Sequence, residues 1–209
     1  MSADLRELLA KAKGSAATAR VTRLDQLPTP SVERDHWGLD ALRGRLVELS
    51  ARGATATLTT AIELVLEAQH ADEPAAWMTF GNATFYPPDV ADSGVDLAAL
   101  VVVRATDATA AARAAERLLR SGGFGLVVLD FGGGGAVELS IAHQGRLITL
   151  AQAHDAAVVC ITDKPSDAGS LGSLVSLRAE AFRLRDRDRG YDVTLRALKD
   201  KRRGPGWSR

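Results

Sequence analysis

The chain has 209 residues, of which 46% are hydrophobic and 25% charged, a globular composition with enough length for one well-cored domain. Lysine and arginine number 26 against 26 acidic residues, so overall charge offers nothing to a polyanion and any electrostatic footprint must be local. No run approaches the ~20 consecutive apolar residues of a membrane span, and the opening MSADLRELLAKAKG lacks the basic-then-apolar order of a secretory signal; a cytoplasmic protein without a membrane partner is expected.

Leu5, Leu8, Leu9 and Ala12 share one face of an amphipathic helix over residues 1–14, capped near Ser2. Residues 15–43 carry a weak pattern and the extended LPTPS, which reads as a linker. From Gly44 strands and helices alternate: strand 45–50, helix 56–70, strand 75–80, a turn at YPPD, strand 100–104, helix 108–121, strand 125–130, helix 137–154 and strand 157–162. That alternation implies crossover connections and a mainly parallel α/β sheet flanked by helices. The near-continuous apolar runs FGLVVLD and AAVVCIT fit strands buried on both faces, which makes Cys160 inert packing with no disulfide partner. Two longer strands joined at DRG then add an antiparallel hairpin, with Phe182 and Leu184 on one face and Arg183, Arg185 and Arg187 on the other. The core is expected over 44–201, and 202–209 as a basic, flexible tail.

The segment SARGATATLTT, Ser50 to Thr60, lies between a strand and a helix, where phosphate-binding loops are built. Such a loop needs glycines that let backbone N–H groups converge, a lysine for the terminal phosphates and a hydroxyl for magnesium. Here Gly53 is the loop's lone glycine, Thr57 occupies the lysine position and Leu58 the hydroxyl position. A helix N-terminus alone contributes about 2 kcal/mol at best toward holding an anion, so tight ATP binding is not expected. Arg52 is the one cation able to replace the lysine in part. Asp130 ends its strand at the carboxyl edge, where an open α/β sheet places ligand-binding residues; the alternative role is a turn cap. The four histidines show no metal-ligand spacing, and neither a metal nor a cofactor is expected.

Gly44 to Gln69 resembles the opening strand, phosphate loop and helix of the RecA recombinases, and the similarity extends to about Pro205. On that pattern Ala51 and Ala56 replace loop glycines, Gly81 stands where the family activates water with a glutamate, Asp130 is kept, and Asp163 stands near a phosphate-sensing glutamine. Lys199 and Lys201 match two basic positions of the last core strand. The connections 131–137 and 163–174 are much shorter than the family's two DNA-gripping loops. A narrower resemblance, carried by FYPP, GVDLAALVVVR and LLRSGGF between Phe85 and Asp130, is to the ImuA group, RecA-like accessories that act with the polymerase relative ImuB in damage-induced mutagenesis. It implies an adaptor without ATP hydrolysis that binds RecA and an ImuB-like protein. The alternatives are a weak ATPase or DNA-binding protein using Arg52 and Asp130, and a cell-division inhibitor resembling SulA, whose architecture is similarly trimmed.

Two surfaces are expected to carry such a function. Leu5, Leu8 and Leu9 form an arm that docks either on a RecA core or back on its own domain. The basic C-terminus, with Lys199, Lys201, Arg202 and Arg203 beside Trp207, suits DNA or an acidic partner, the aromatic stacking on a base or filling a pocket.

Overall fold

The computed structural model describes residues 37–50, 53, 55–81, 85–133, 137–186 and 190–209; the Leu5, Leu8 and Leu9 helix lies outside them. Within this part, α1 (Leu39–Leu42) leads to β1 (Arg45–Ser50), α2 (Thr57–His70), β2 (Ala75–Thr79), α3 (Pro87–Asp92) and, after a 3-10 turn at Leu97–Ala99, β3 (Leu100–Arg104). There follow α4 (Ala108–Arg120), β4 (Leu126–Asp130), α5 (Ile141–Ala153), β5 (Ala157–Thr162) and the pair β6 (Leu177–Asp186) and β7 (Gly190–Asp200). Among the described residues no helix is long and apolar enough to cross a membrane.

The strands make one seven-stranded sheet in the order β3-β2-β4-β5-β1-β6-β7. Every neighbouring pair is parallel except β6 with β7. This is the expected α/β architecture: a RecA-like, mainly parallel core ending in an antiparallel hairpin. Parallel neighbours need helical crossovers, which cover both faces. One face packs Val47, Leu49, Trp77 and Val128 under Leu64, Val65 and Ala68 of α2. The other packs Leu46, Met78, Leu129 and Val158 against Ala111, Ala112, Ala115 and Leu119 of α4 and Leu147 and Ala151 of α5. The alanines let α4 approach the sheet closely while keeping high helix propensity.

Several boundaries shift for local reasons. Trp37, Leu39 and Leu42 are buried in the core, and the Leu39 N–H donates to Glu67 Oε2 on α2 at 2.7 Å, so residues 37–42, expected within the linker, belong to the core. The YPPD turn is a short helix, since Pro87 and Pro88 sit at its first positions, where a missing N–H removes no hydrogen bond. Helix α5 starts at Ile141 because Ser140 caps it, its Oγ accepting from the His143 N–H at 3.3 Å. In the hairpin Phe182 is half-buried beneath the Arg196 guanidinium, whereas Leu184 is exposed.

Residues 202–209, expected as a flexible tail, lie against the sheet. Residues 201–204 turn the chain back, with Gly204 at φ 82°, and the final residues run beside β7. Arg209 and Leu195 exchange two backbone hydrogen bonds, at 3.0 and 2.8 Å, and the Ala197 N–H donates to the Trp207 carbonyl at 2.9 Å. An edge strand otherwise leaves its N–H and C=O groups unpaired, and these pairings hold residues 206–209 against it.

Candidate functional site

Strand β1 delivers the chain to the carboxyl edge of the sheet, and α2 starts there at Thr57. Gly53 takes φ 86°, a left-handed conformation that suits glycine. Past it the loop is tied down by its own groups. Thr55 bridges Phe182 of β6 in antiparallel fashion, and the Ala56 N–H donates to the Ala181 carbonyl at 3.0 Å. The Thr57 N–H donates to Thr55 Oγ1 at 3.0 Å, and the two threonine hydroxyls lie 3.0 Å apart. Two of the four amides that a helix N-terminus leaves open to an anion are therefore engaged internally. Thr57 is buried and points into the domain, and Leu58 is exposed at the lip. Arg52 lies outside the described residues.

Beside this first turn lies a cavity of about 250 Å³, lined by Leu58, Ile62, Trp77, Phe85 and Tyr86 together with Asp89, Ser93 and Arg183. The Arg183 Nη2 donates to Thr59 Oγ1 at 3.2 Å, so that hydroxyl too has a partner. This lining suits a partner's apolar side chain better than a phosphate group.

Asp130 ends β4 in register with Thr79 of β2 and Ile161 of β5, and is buried. Burial raises its pKa above the usual carboxylate range, opposed by the Gly132 N–H, which donates to Oδ1 at 3.0 Å, and by the Trp77 indole. The indole N–H is itself buried without a well-formed hydrogen bond, so it is a weak partner. Asp130 thus acts as a turn cap. Gly81 is exposed after β2, and Asp163 is exposed after β5.

Sequence reasoning missed a buried ionic cluster at the same edge. Glu48, in the middle of β1, is fully buried. Its carboxylate accepts from Thr162 Oγ1 at 2.8 Å and from the Leu171 N–H at 2.6 Å, and pairs with Lys164 Nζ at 2.8 Å. Arg178 of β6 approaches it at 3.9 Å and donates to Ser50 Oγ and to the carbonyls of Pro165 and Ala168. The connection 163–176, which stands where the resemblance would place a DNA-gripping loop, is thereby pinned to β1, β5 and β6. The signal lay in RLVELS and SLRAEAF, where a charge interrupts a strand otherwise buried on both faces; such a charge must be paired.

Of the expected C-terminal contact residues, Lys199 and Trp207 are half-buried, whereas Lys201, Arg202 and Arg203 are exposed. Trp207 packs against the core, its Nε1 donating to Asp200 Oδ2 at 3.1 Å. Lys199 is half-buried beside Ser170 Oγ at 3.4 Å, burial and the neighbouring Lys201 lowering its pKa. The Lys201 Nζ donates to the Ser173 carbonyl at 2.7 Å, and the Arg202 N–H donates to Asp200 Oδ1 at 2.9 Å. Arg202 and Arg203 are exposed. Trp207 is half-buried, and its indole holds the tail to Asp200 of β7. No protein-family model matches the chain. No curated protein is significantly similar to it.

Proposed function

We propose that this protein is a RecA-like adaptor that does not hydrolyse ATP, and that it binds RecA and an ImuB-like protein to support damage-induced mutagenic DNA synthesis. The observation that carries the reading is the state of the loop before α2: the Ala56 and Thr57 amides are spent on Ala181 and Thr55. No lysine stands at the helix entrance, and the adjoining cavity is lined by Leu58, Trp77, Phe85 and Tyr86 with Asp89 and Arg183, the latter donating to Thr59. Phosphoryl transfer relies on charge stabilisation and positioning of the transferred group, and this loop supplies neither through the groups described. A fold that keeps the sheet and crossovers without that machinery acts through its surfaces.

The test has two arms. Titrating a fluorescent ATP analogue with magnesium into the pure protein should give no saturable signal at micromolar concentration, and tight magnesium-dependent binding would favour the ATPase alternative. Mixing the protein with purified RecA and with an ImuB-like protein should give complexes on size exclusion; failure to associate with both would remove the adaptor reading.

A further inference from the structure

Helix α4 carries Arg113, Arg117 and Arg120, all exposed, at i, i+4 and i+7, one stripe along the solvent face. None forms an ion pair or hydrogen bond among the described residues. Asp107 acts electrostatically on Arg113 but is committed to capping the helix, its Oδ1 accepting from the Ala110 N–H at 2.8 Å. Glu116, the acid of this helix, faces inward to Arg146 Nε at 3.0 Å and His143 Nδ1 at 2.5 Å on α5. Together α4 and α5 hold four arginines against one glutamate, a net +3 with histidine neutral, on a chain whose total charge is zero.

This arrangement works against the helix's own stability. Like charges three and four residues apart each cost about 0.2–0.5 kcal/mol. The helix dipole offsets part of that for Arg117 and Arg120, which lie in the last turn, but gives nothing to Arg113. A protein-docking surface would pair such charges with a desolvated apolar centre. The solvent side of α5 instead shows Ala142, Thr149 and Gln152, and Ile141 at its start is the large exposed hydrophobic of the two helices. A surface with guanidinium forks and little apolar anchorage suits phosphates, which arginine binds bidentately.

We infer that the Arg113, Arg117 and Arg120 stripe of α4 binds the phosphate backbone of nucleic acid without regard to sequence. The stripe is about 10 Å long at 1.5 Å of rise per residue, which matches about three phosphates at 3.4 Å of axis per strand. The inference stands apart from the adaptor reading, and it moves the nucleic-acid contact away from the C-terminus, where Lys199 and Lys201 are held by Ser170 and Ser173.

The experiment is fluorescence anisotropy of the full chain with a labelled mixed-sequence oligonucleotide, single-stranded and duplex, across a salt series. Three phosphate contacts give a log–log salt slope of about −2 for the single strand and about −3 for the duplex. Replacing all three residues (R113Q/R117Q/R120Q) should weaken binding about tenfold or more at low salt and flatten the slope by about 2. The charge-keeping R113K/R117K/R120K should retain the slope, and K201Q/R202Q should leave both quantities unchanged. Circular dichroism of the glutamine variant verifies the fold, and should that variant unfold, R117Q alone should still flatten the slope by about 0.7. Absence of binding by the natural chain, or wild-type affinity and slope in a folded glutamine variant, would overturn the inference. So would equal binding of polyglutamic acid at matched charge, which would assign the stripe to acidic proteins.

Discussion

Arg45 Nη2 and Asp200 Oδ1 lie 2.7 Å apart with both side chains out of solvent, joining the first residue of β1 to the last residue of β7 across β6. Asp200 also accepts from the Arg202 N–H and the Trp207 indole, so one carboxylate anchors the sheet, the closing turn and the tail. Burial acts to raise its pKa, but the Arg202 N–H, the Arg45 guanidinium and the Trp207 indole together bring it below the ordinary carboxylate range.

A depressed carboxylate stabilises the fold above its unfolded pKa of about 3.9 and loses that contribution as pH falls through the lower folded value. Asp200→Asn leaves Arg45 buried without its counter-charge and should cost about 3–5 kcal/mol at neutral pH. Urea unfolding should show the gap between variant and natural chain narrowing as pH drops below about 4. A constant gap down to the lowest pH would mean that Asp200 is not the titrating group.

Asp130 behaves in the opposite sense. Its folded pKa is raised by burial, so its ionisation opposes folding: stability is fully present below the unfolded value and is lost as pH rises through the folded one. Asp130→Asn keeps an oxygen to accept from the Gly132 N–H and removes the buried charge. The variant should be more stable than the natural chain at neutral pH and equal to it near pH 3, measured as thermal midpoints. A loss of stability at neutral pH would show that the carboxylate has a partner of its own.

The sheet was legible because its signals are local. The apolar runs ending at Ser50, Asp130 and Thr162 fix strands by composition alone, and the turn residues between β6 and β7 mark the hairpin. The basic end misled for a non-local reason. GPGWSR has the composition of a frayed tail, and only the open edge of β7 and the buried Asp200 give its amides and indole partners. The candidate site was half legible: the absent lysine is visible in the string, whereas the use of the Ala56 N–H by Ala181 depends on residues 125 positions apart.

The pinned connection 163–176 leads to a third prediction. Glu48 neutralises Lys164 and holds the Leu171 N–H, and removing one member of a buried ionic cluster leaves the others uncompensated. Glu48→Ala should destabilise by about 3–5 kcal/mol, and limited proteolysis should first cut between Asp163 and Ser176. A variant cut at the same sites and rate as the natural chain would show that other contacts hold the connection.

Placing a lysine at position 57 should not create a nucleotide site. Thr57 is buried, with its hydroxyl against Thr55, so Thr57→Lys forces a charged chain either into the core or out through the Leu58 lip. Because burying an unpaired charge is expensive, a stability loss of about 2 kcal/mol or more is expected. The Ala56 amide stays bound to Ala181 in either case, so the added lysine meets a loop that cannot close on a triphosphate. Titration with a fluorescent ATP analogue and magnesium should show no gain in affinity. Saturable micromolar binding by Thr57→Lys would mean that one added cation suffices for this loop to hold a nucleotide, and that the engaged amides release when a phosphate arrives.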